Sequence, residues 1–186
     1  MDHLKISKSI LVGHSVGGTV ALDFALQYPD RVSSLVLVAS GLNGYSWSAE
    51  YQQWYQSLWN ELKPEIITLK LLTTPFYEIS KGNSHIKSEI HSMLIENIKK
   101  ILTWKILDIR CFHPQPFNIL KDIKIPTLLV HGSKDARDIK MIACILAENL
   151  INAKVSEIQD TGHLLNFEKY DELNDLILNY LSNVRL

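Results

Sequence analysis

The chain has 186 residues, 46% hydrophobic and 21% charged, with a formal net charge of −1. That length and composition suffice for one core of ordinary size. The near-neutral balance, with Lys and Arg scattered, excludes the basic footprint of a nucleic-acid binder.

The start, MDHLKISKSILVGHS, does not read as a signal peptide, and no apolar run reaches membrane-span length. Cys111 and Cys144 sit in apolar or mixed stretches without metal-ligand spacing. They read as buried thiols in a reducing compartment, and a cytoplasmic location is expected.

In chain order, Ile10–Val12 predicts a short buried parallel strand. It runs into Gly13-His14-Ser15-Val16-Gly17, followed by Gly18. A helix is predicted from Gly18 to Tyr28, with Val20, Ala21, Phe24, Ala25 and Tyr28 on one face. Pro29 stops it. A G-x-S-x-G between strand and helix is the layout of a nucleophile elbow, a tight turn that points a serine hydroxyl outward. Such a turn strains the serine backbone. Glycine at both flanking positions is expected to remove Cβ atoms that would collide with the neighbouring strand or helix, and Gly18 adds clearance. The turn also leaves N–H groups at the helix start free to face an anion.

Ser34–Ala39, SLVLVA, predicts a second strand, the continuous apolar run that a sheet covered on both faces requires. Gly41 and Gly44 end it. Residues 45–122 carry no strand signal. Tyr51, Trp54, Tyr55, Leu58 and Trp59 recur at helical spacing, as do Ile86, Ile90, Met93, Leu94, Ile98, Ile101 and Leu102. This predicts a helical cap laid over the carboxyl edge of the sheet, inserted into a core made of 1–44 and 123–186. The Gly82-Asn83-Ser84 and HPQP (113–116) segments are local breaks. Strands Thr127–Val130 and Ala153–Ile158 follow, with helices over Asp138–Leu150 and Glu168–Leu181. Leu173, Leu176, Ile177, Tyr180 and Leu181 form the inner stripe of the last helix. The alternation predicts a parallel α/β sheet of about four strands.

A serine nucleophile needs a base, and the base needs an orienting acid. TLLVHGSKD at 127–135 puts Asp135 just past a strand end, where open α/β sheets bind ligands. DTGHLLNFE at 160–168 puts His163 in the loop before the last helix. The order Ser15, Asp135, His163 is that of one known triad arrangement and not of the two others. Taken singly, Asp135 also fits a turn or N-cap and His163 an ordinary loop histidine. Asp138 is a rival for the acid. His14 is expected to point away from the site in a structural role. His3, His85, His91, His113 and His131 lack partners at ligand spacing and read as surface or packing residues. The Trp/Tyr stripe over 47–59 reads first as helix core, with some rings lining a pocket.

On the segments GHSVGG, SLVLVA, IPTLLVHGSKD and DTGHLLNFEKYDELNDLILNYL, the chain resembles α/β-hydrolase-fold proteins of the capped esterase or lactonase type. The resemblance covers most of the chain outside 45–115. It implies Ser15 as nucleophile, His163 as general base, Asp135 as its orienting acid and the Val16 N–H as one oxyanion donor. It implies no metal or organic cofactor. ARDIK stands where the family often has a proline after the aspartate. Only about eight residues precede the elbow strand, so the family's first strands and its His-Gly loop, the usual second oxyanion donor, have no counterpart. Ile10–Val12 is therefore expected to be an exposed edge, open to self-association or a partner chain. The function implied is hydrolysis of an ester or similar acyl bond of a small apolar substrate. An acyltransferase, a cofactor-free haloperoxidase, a ligand-binding module and an inert fragment are the alternatives. No nucleic-acid or membrane partner is expected.

Overall fold

The computed structural model describes residues 1–60, 63–74, 76–77, 84–103 and 119–184, without the side chains of 59 and 84–86. Cys111, His113, most of the Gly82-Asn83-Ser84 break, HPQP, and the side chains of Trp59, His85 and Ile86 lie outside the described residues.

Four strands, β1 (Ser9–His14), β2 (Val32–Val38), β3 (Thr127–Gly132) and β4 (Ala153–Ile158), form one sheet in the order β1-β2-β3-β4. Every pairing is parallel. The helices are α1 (Val16–Gln27), α2 (Ala49–Trp59), α3 (Pro64–Leu72), α4 (Ser84–Ile101), α5 (Arg137–Asn149), α6 (Leu165–Glu168) and α7 (Tyr170–Ser182). Side chains alternate across a strand, so the continuous apolar runs of β2 and β3 feed both faces of the sheet. Leu35, Leu37 and Leu129 pack with Ala21, Leu22 and Ala25 of α1 and Ile142 and Leu146 of α5. Val36, Val38, Leu128 and Val130 pack with Leu165 of α6 and Leu173 of α7, with Leu176, Ile177, Tyr180 and Leu181 beside them. β1 pairs with β2 and takes an edge of the sheet, where Val12 is 57% exposed.

Two packing expectations need correction. On α1 the buried residues are Gly18, Ala21, Leu22 and Ala25, whereas Val20 and Tyr28 are exposed. Close approach selects the small residues: a Cβ on Gly18 would strike the side chain of Ser40. Cys144, expected to be buried, is exposed. The buried stripe of α5 runs through Ile139, Ile142, Ala143 and Leu146, and position 144 falls outside it. α3 has no clear helical signature in the sequence, because its apolar residues Ile66, Ile67, Leu69, Leu71 and Leu72 lack a clean helical interval.

The helices α2, α3 and α4 all fall between β2 and β3. A buried carboxylate ties their entrance to the core. Asp138 accepts hydrogen bonds from the Tyr45 hydroxyl at 2.9 Å, the Ser48 N–H at 3.1 Å and the Ser48 hydroxyl at 2.6 Å. Ser48 Oγ in turn accepts from the Tyr51 N–H and caps α2. Burial, together with the Asp138 contact, pushes the Tyr45 hydroxyl up to about 12, so it stays a donor. Both oxygens of Asp138 are engaged here, which removes it as a rival to Asp135.

Candidate active site

Ser15 sits between the end of β1 and the start of α1 with φ 53° and ψ −118°. That is strained backbone for an L residue, and it holds only where the surroundings fix it. The Ser15 N–H donates to the Val38 carbonyl at 2.9 Å. The Ser15 carbonyl accepts from the N–H groups of Gly18, Thr19 and Gly41 at 3.0–3.2 Å. A Cβ on Gly13 would run into the backbone of Gly17 and Gly18, so this flank of the turn demands glycine. The other flank differs from expectation: a Cβ on Gly17 meets nothing within 4 Å, because that residue faces open space. Val16 opens α1, and its N–H is among the donors that a helix start leaves without an intrahelical partner.

The three residues drawn from three separate segments come together. Ser15 Oγ lies 2.9 Å from His163 Nε2. His163 Nδ1 lies 3.1 Å from each carboxylate oxygen of Asp135. A carboxylate facing Nδ1 assigns the proton to that nitrogen, leaving Nε2 to accept from the serine hydroxyl. Asp135 Oδ1 also accepts the Ala136 N–H at 2.7 Å. Both His163 and Asp135 are 4% exposed, so a charge on either would be poorly screened by water.

His14 departs from expectation. Its ring lies 5.0 Å from the His163 ring, and its Nε2–H donates to the His163 carbonyl at 2.8 Å. Burial holds its pKa below the ordinary histidine value, outweighing the hydrogen bond that favours the cation. A lowered folded pKa adds stability above the unfolded value, about 6.5, and that stability is lost as pH falls through the folded value. Melting temperature is therefore expected to drop between about pH 7 and pH 5. In His14→Gln, which keeps an N–H donor but does not titrate, this part of the slope disappears.

A cavity of about 400 Å³ opens over Ser15 and His163. One wall is a run of rings. Trp47 stacks on Tyr51 at 4.1 Å, Trp54 stacks on Phe76 at 5.6 Å, and the Phe76 and His163 rings meet edge to face at 4.9 Å. Burial pushes the Tyr51 hydroxyl up to about 12, so it stays uncharged. Thus several rings of the Trp/Tyr stripe line the cavity. Leu58, Ile67, Leu94 and Ile98 close the cavity, and no Lys or Arg lines it among the described residues. Also among the described residues, no group of three or more His, Cys, Asp and Glu is placed to hold a metal.

Residues 1–63 match the family described as alpha/beta hydrolase fold. The chain is 31% identical to the 2-hydroxy-6-oxononadienedioate/2-hydroxy-6-oxononatrienedioate hydrolase of Escherichia coli strain K12 over 192 aligned positions. That alignment takes in 98% of this chain and 65% of the relative, so the chain spans just under two thirds of the curated relatives' length. Two solved structures share its fold. MenH from S. aureus superposes with a TM-score of 0.76 at 24% identity, covering 97% of this chain and 70% of that one. A thermophilic esterase from Thermogutta terrifontis superposes with a TM-score of 0.78 at 21% identity, covering 100% and 69%.

Proposed function

Since the chain belongs to the α/β-hydrolase superfamily, we propose that it hydrolyses an ester or similar acyl bond of a small apolar substrate through Ser15, His163 and Asp135. One observation carries the reading: His163 spans the 2.9 Å to Ser15 Oγ with one nitrogen and faces the buried Asp135 with the other. His163 Nε2 takes the hydroxyl proton as Ser15 Oγ bonds to the acyl carbon. The Asp135 carboxylate balances the imidazolium, and the Val16 N–H donates to the oxyanion. His163 then gives its proton to the leaving oxygen, and the same cycle with water as nucleophile frees Ser15.

We read α2, α3 and α4 as a cap whose rings and aliphatic side chains select the acyl part. The relative from Escherichia coli is named for a substrate with two carboxylates. A dianion in an apolar cavity loses its hydration and needs a paired cation. The rings and aliphatic side chains that line this cavity support an apolar substrate here.

The test is turnover of p-nitrophenyl butyrate by the chain beside Ser15→Ala, with mass spectrometry of the trapped acyl group. Turnover lost in the variant and an acyl adduct on Ser15 are expected. Equal rates in both overturn the reading. Saturable binding without turnover would assign the cavity to ligand capture, and transfer to an added alcohol in place of water would make the chain an acyltransferase.

A further inference from the structure

Glu168, the last residue of α6, is not part of the proton path described above. Its position is nevertheless specific. One oxygen, Oε2, accepts both the Thr161 hydroxyl and the Gly162 N–H, each at 2.7 Å. These are the two residues that lead into His163. Thr161 is wholly buried and Gly162 is buried, so neither donor has water as a ready substitute. The opposite side of the same loop is also held. The Thr161 carbonyl accepts the Lys134 N–H at 2.9 Å. Gly132, at the end of β3, lies so close that a Cβ there would strike the carbonyls of Thr161 and Gly162. The loop is thus pressed between the strand end and a carboxylate that reaches back from its own helix.

We propose that Glu168 is a positioning residue for His163: its carboxylate fixes the backbone entering the histidine, so that the imidazole keeps its reach to both Ser15 and Asp135. This rests on reading Ser15 and His163 as the reacting pair. The argument is one of tolerance. A charged acceptor holds its donors more tightly than a neutral one. Without it, a buried Gly162 N–H is orphaned and the turn relaxes to find another partner. The imidazole must satisfy a 2.9 Å contact on one side and 3.1 Å contacts on the other, and a displacement of about 1 Å costs roughly 10²-fold in rate. Glu168 drew no attention in the sequence because it reads as an ordinary acidic residue at a helix start.

The experiment compares Glu168→Ala, Glu168→Gln and Thr161→Val with the parent in p-nitrophenyl butyrate turnover, melting temperature and proton NMR of the His163 Nδ1–H. In Glu168→Ala, kcat is expected to fall about 100-fold with KM nearly unchanged. Glu168→Gln, which keeps an acceptor of the same shape, is expected to recover to within about tenfold of the parent. The Nδ1–H resonance should broaden in the alanine variant and persist in the glutamine one. Thr161→Val leaves the Gly162 bond intact and is expected to lose less than Glu168→Ala, and it serves if the alanine variant does not fold. A parent-like kcat in Glu168→Ala, or in Thr161→Val if only that variant folds, overturns the proposal. So does a glutamine variant as slow as alanine. If the parent shows no Ser15-dependent turnover, the hydrolase reading fails. The resonance then decides the placement of His163 alone, and its persistence in the alanine variant overturns that too.

Discussion

An Asp135→Asn chain is expected to fold like the parent and lose about 10⁴-fold in kcat. Asparagine has almost the same shape, and the side chain it replaces is completely enclosed. The Ala136 N–H, now 2.7 Å from Asp135 Oδ1, needs an acceptor, so the asparagine oxygen turns toward it. That leaves the asparagine NH₂ facing His163 Nδ1. A donor there forces Nδ1 to accept and moves the imidazole proton to Nε2. The histidine then points a donor at Ser15 Oγ, where the proposed reaction needs an acceptor. The base is lost through its tautomer, without displacement, and the imidazolium also loses its counter-charge. Ester hydrolysis alongside a melting curve checks this. An unchanged melt with a loss under about tenfold would show that Asp135 does not set the protonation of His163.

The two glycines that flank Ser15 are expected to respond in opposite directions. Gly13→Ala drives a methyl into the backbone of Gly17 and Gly18, and backbone cannot rotate away as a side chain can. Overpacking typically costs about 1–3 kcal/mol, and a clash with main chain in an already strained turn is expected to reach or pass about 3 kcal/mol. Gly17→Ala meets no atom within 4 Å, and the position is helical. Alanine there is expected to gain about 0.5–1 kcal/mol through lower unfolded-state entropy and better helix propensity. Urea unfolding of both variants gives the comparison. Equal destabilisation would mean that Gly17 is constrained by something other than space.

The sequence was most legible where chemistry is local. β2 and β3 announce themselves as unbroken apolar runs because both their faces are covered. Ser15, Asp135 and His163 each sit in a recognisable neighbourhood, a Gly-flanked turn, a strand end and a glycine before a histidine, and only their order along the chain joins them into one reading. Their meeting across as many as 148 positions needs no further signal. Other residues have no such neighbourhood. The bond from His14 to the His163 carbonyl spans 149 positions, and Asp138 meets Tyr45 across 93. Nothing in the spacing around either residue encodes the partner. The inward face of α1 is only partly legible in the sequence, for a different reason. Hydrophobic spacing sets Val20 and Tyr28 on one face with Ala21 and Ala25, whereas the nearness of helix and sheet buries Gly18, Ala21 and Ala25 and turns Val20 and Tyr28 outward. A hydropathy pattern carries no term for how near two backbones lie.

The chain contains four tryptophans, and Trp47 and Trp54 both line the cavity above Ser15. Trp54 lies flat on Phe76, whose ring touches that of His163. Indole emission shifts in colour and intensity with the polarity around the ring. A molecule entering this space would displace water from two emitters at once, one of them separated from the imidazole by the single ring of Phe76. The protein therefore carries its own optical probe of occupancy, readable without a dye and without waiting for any product to form.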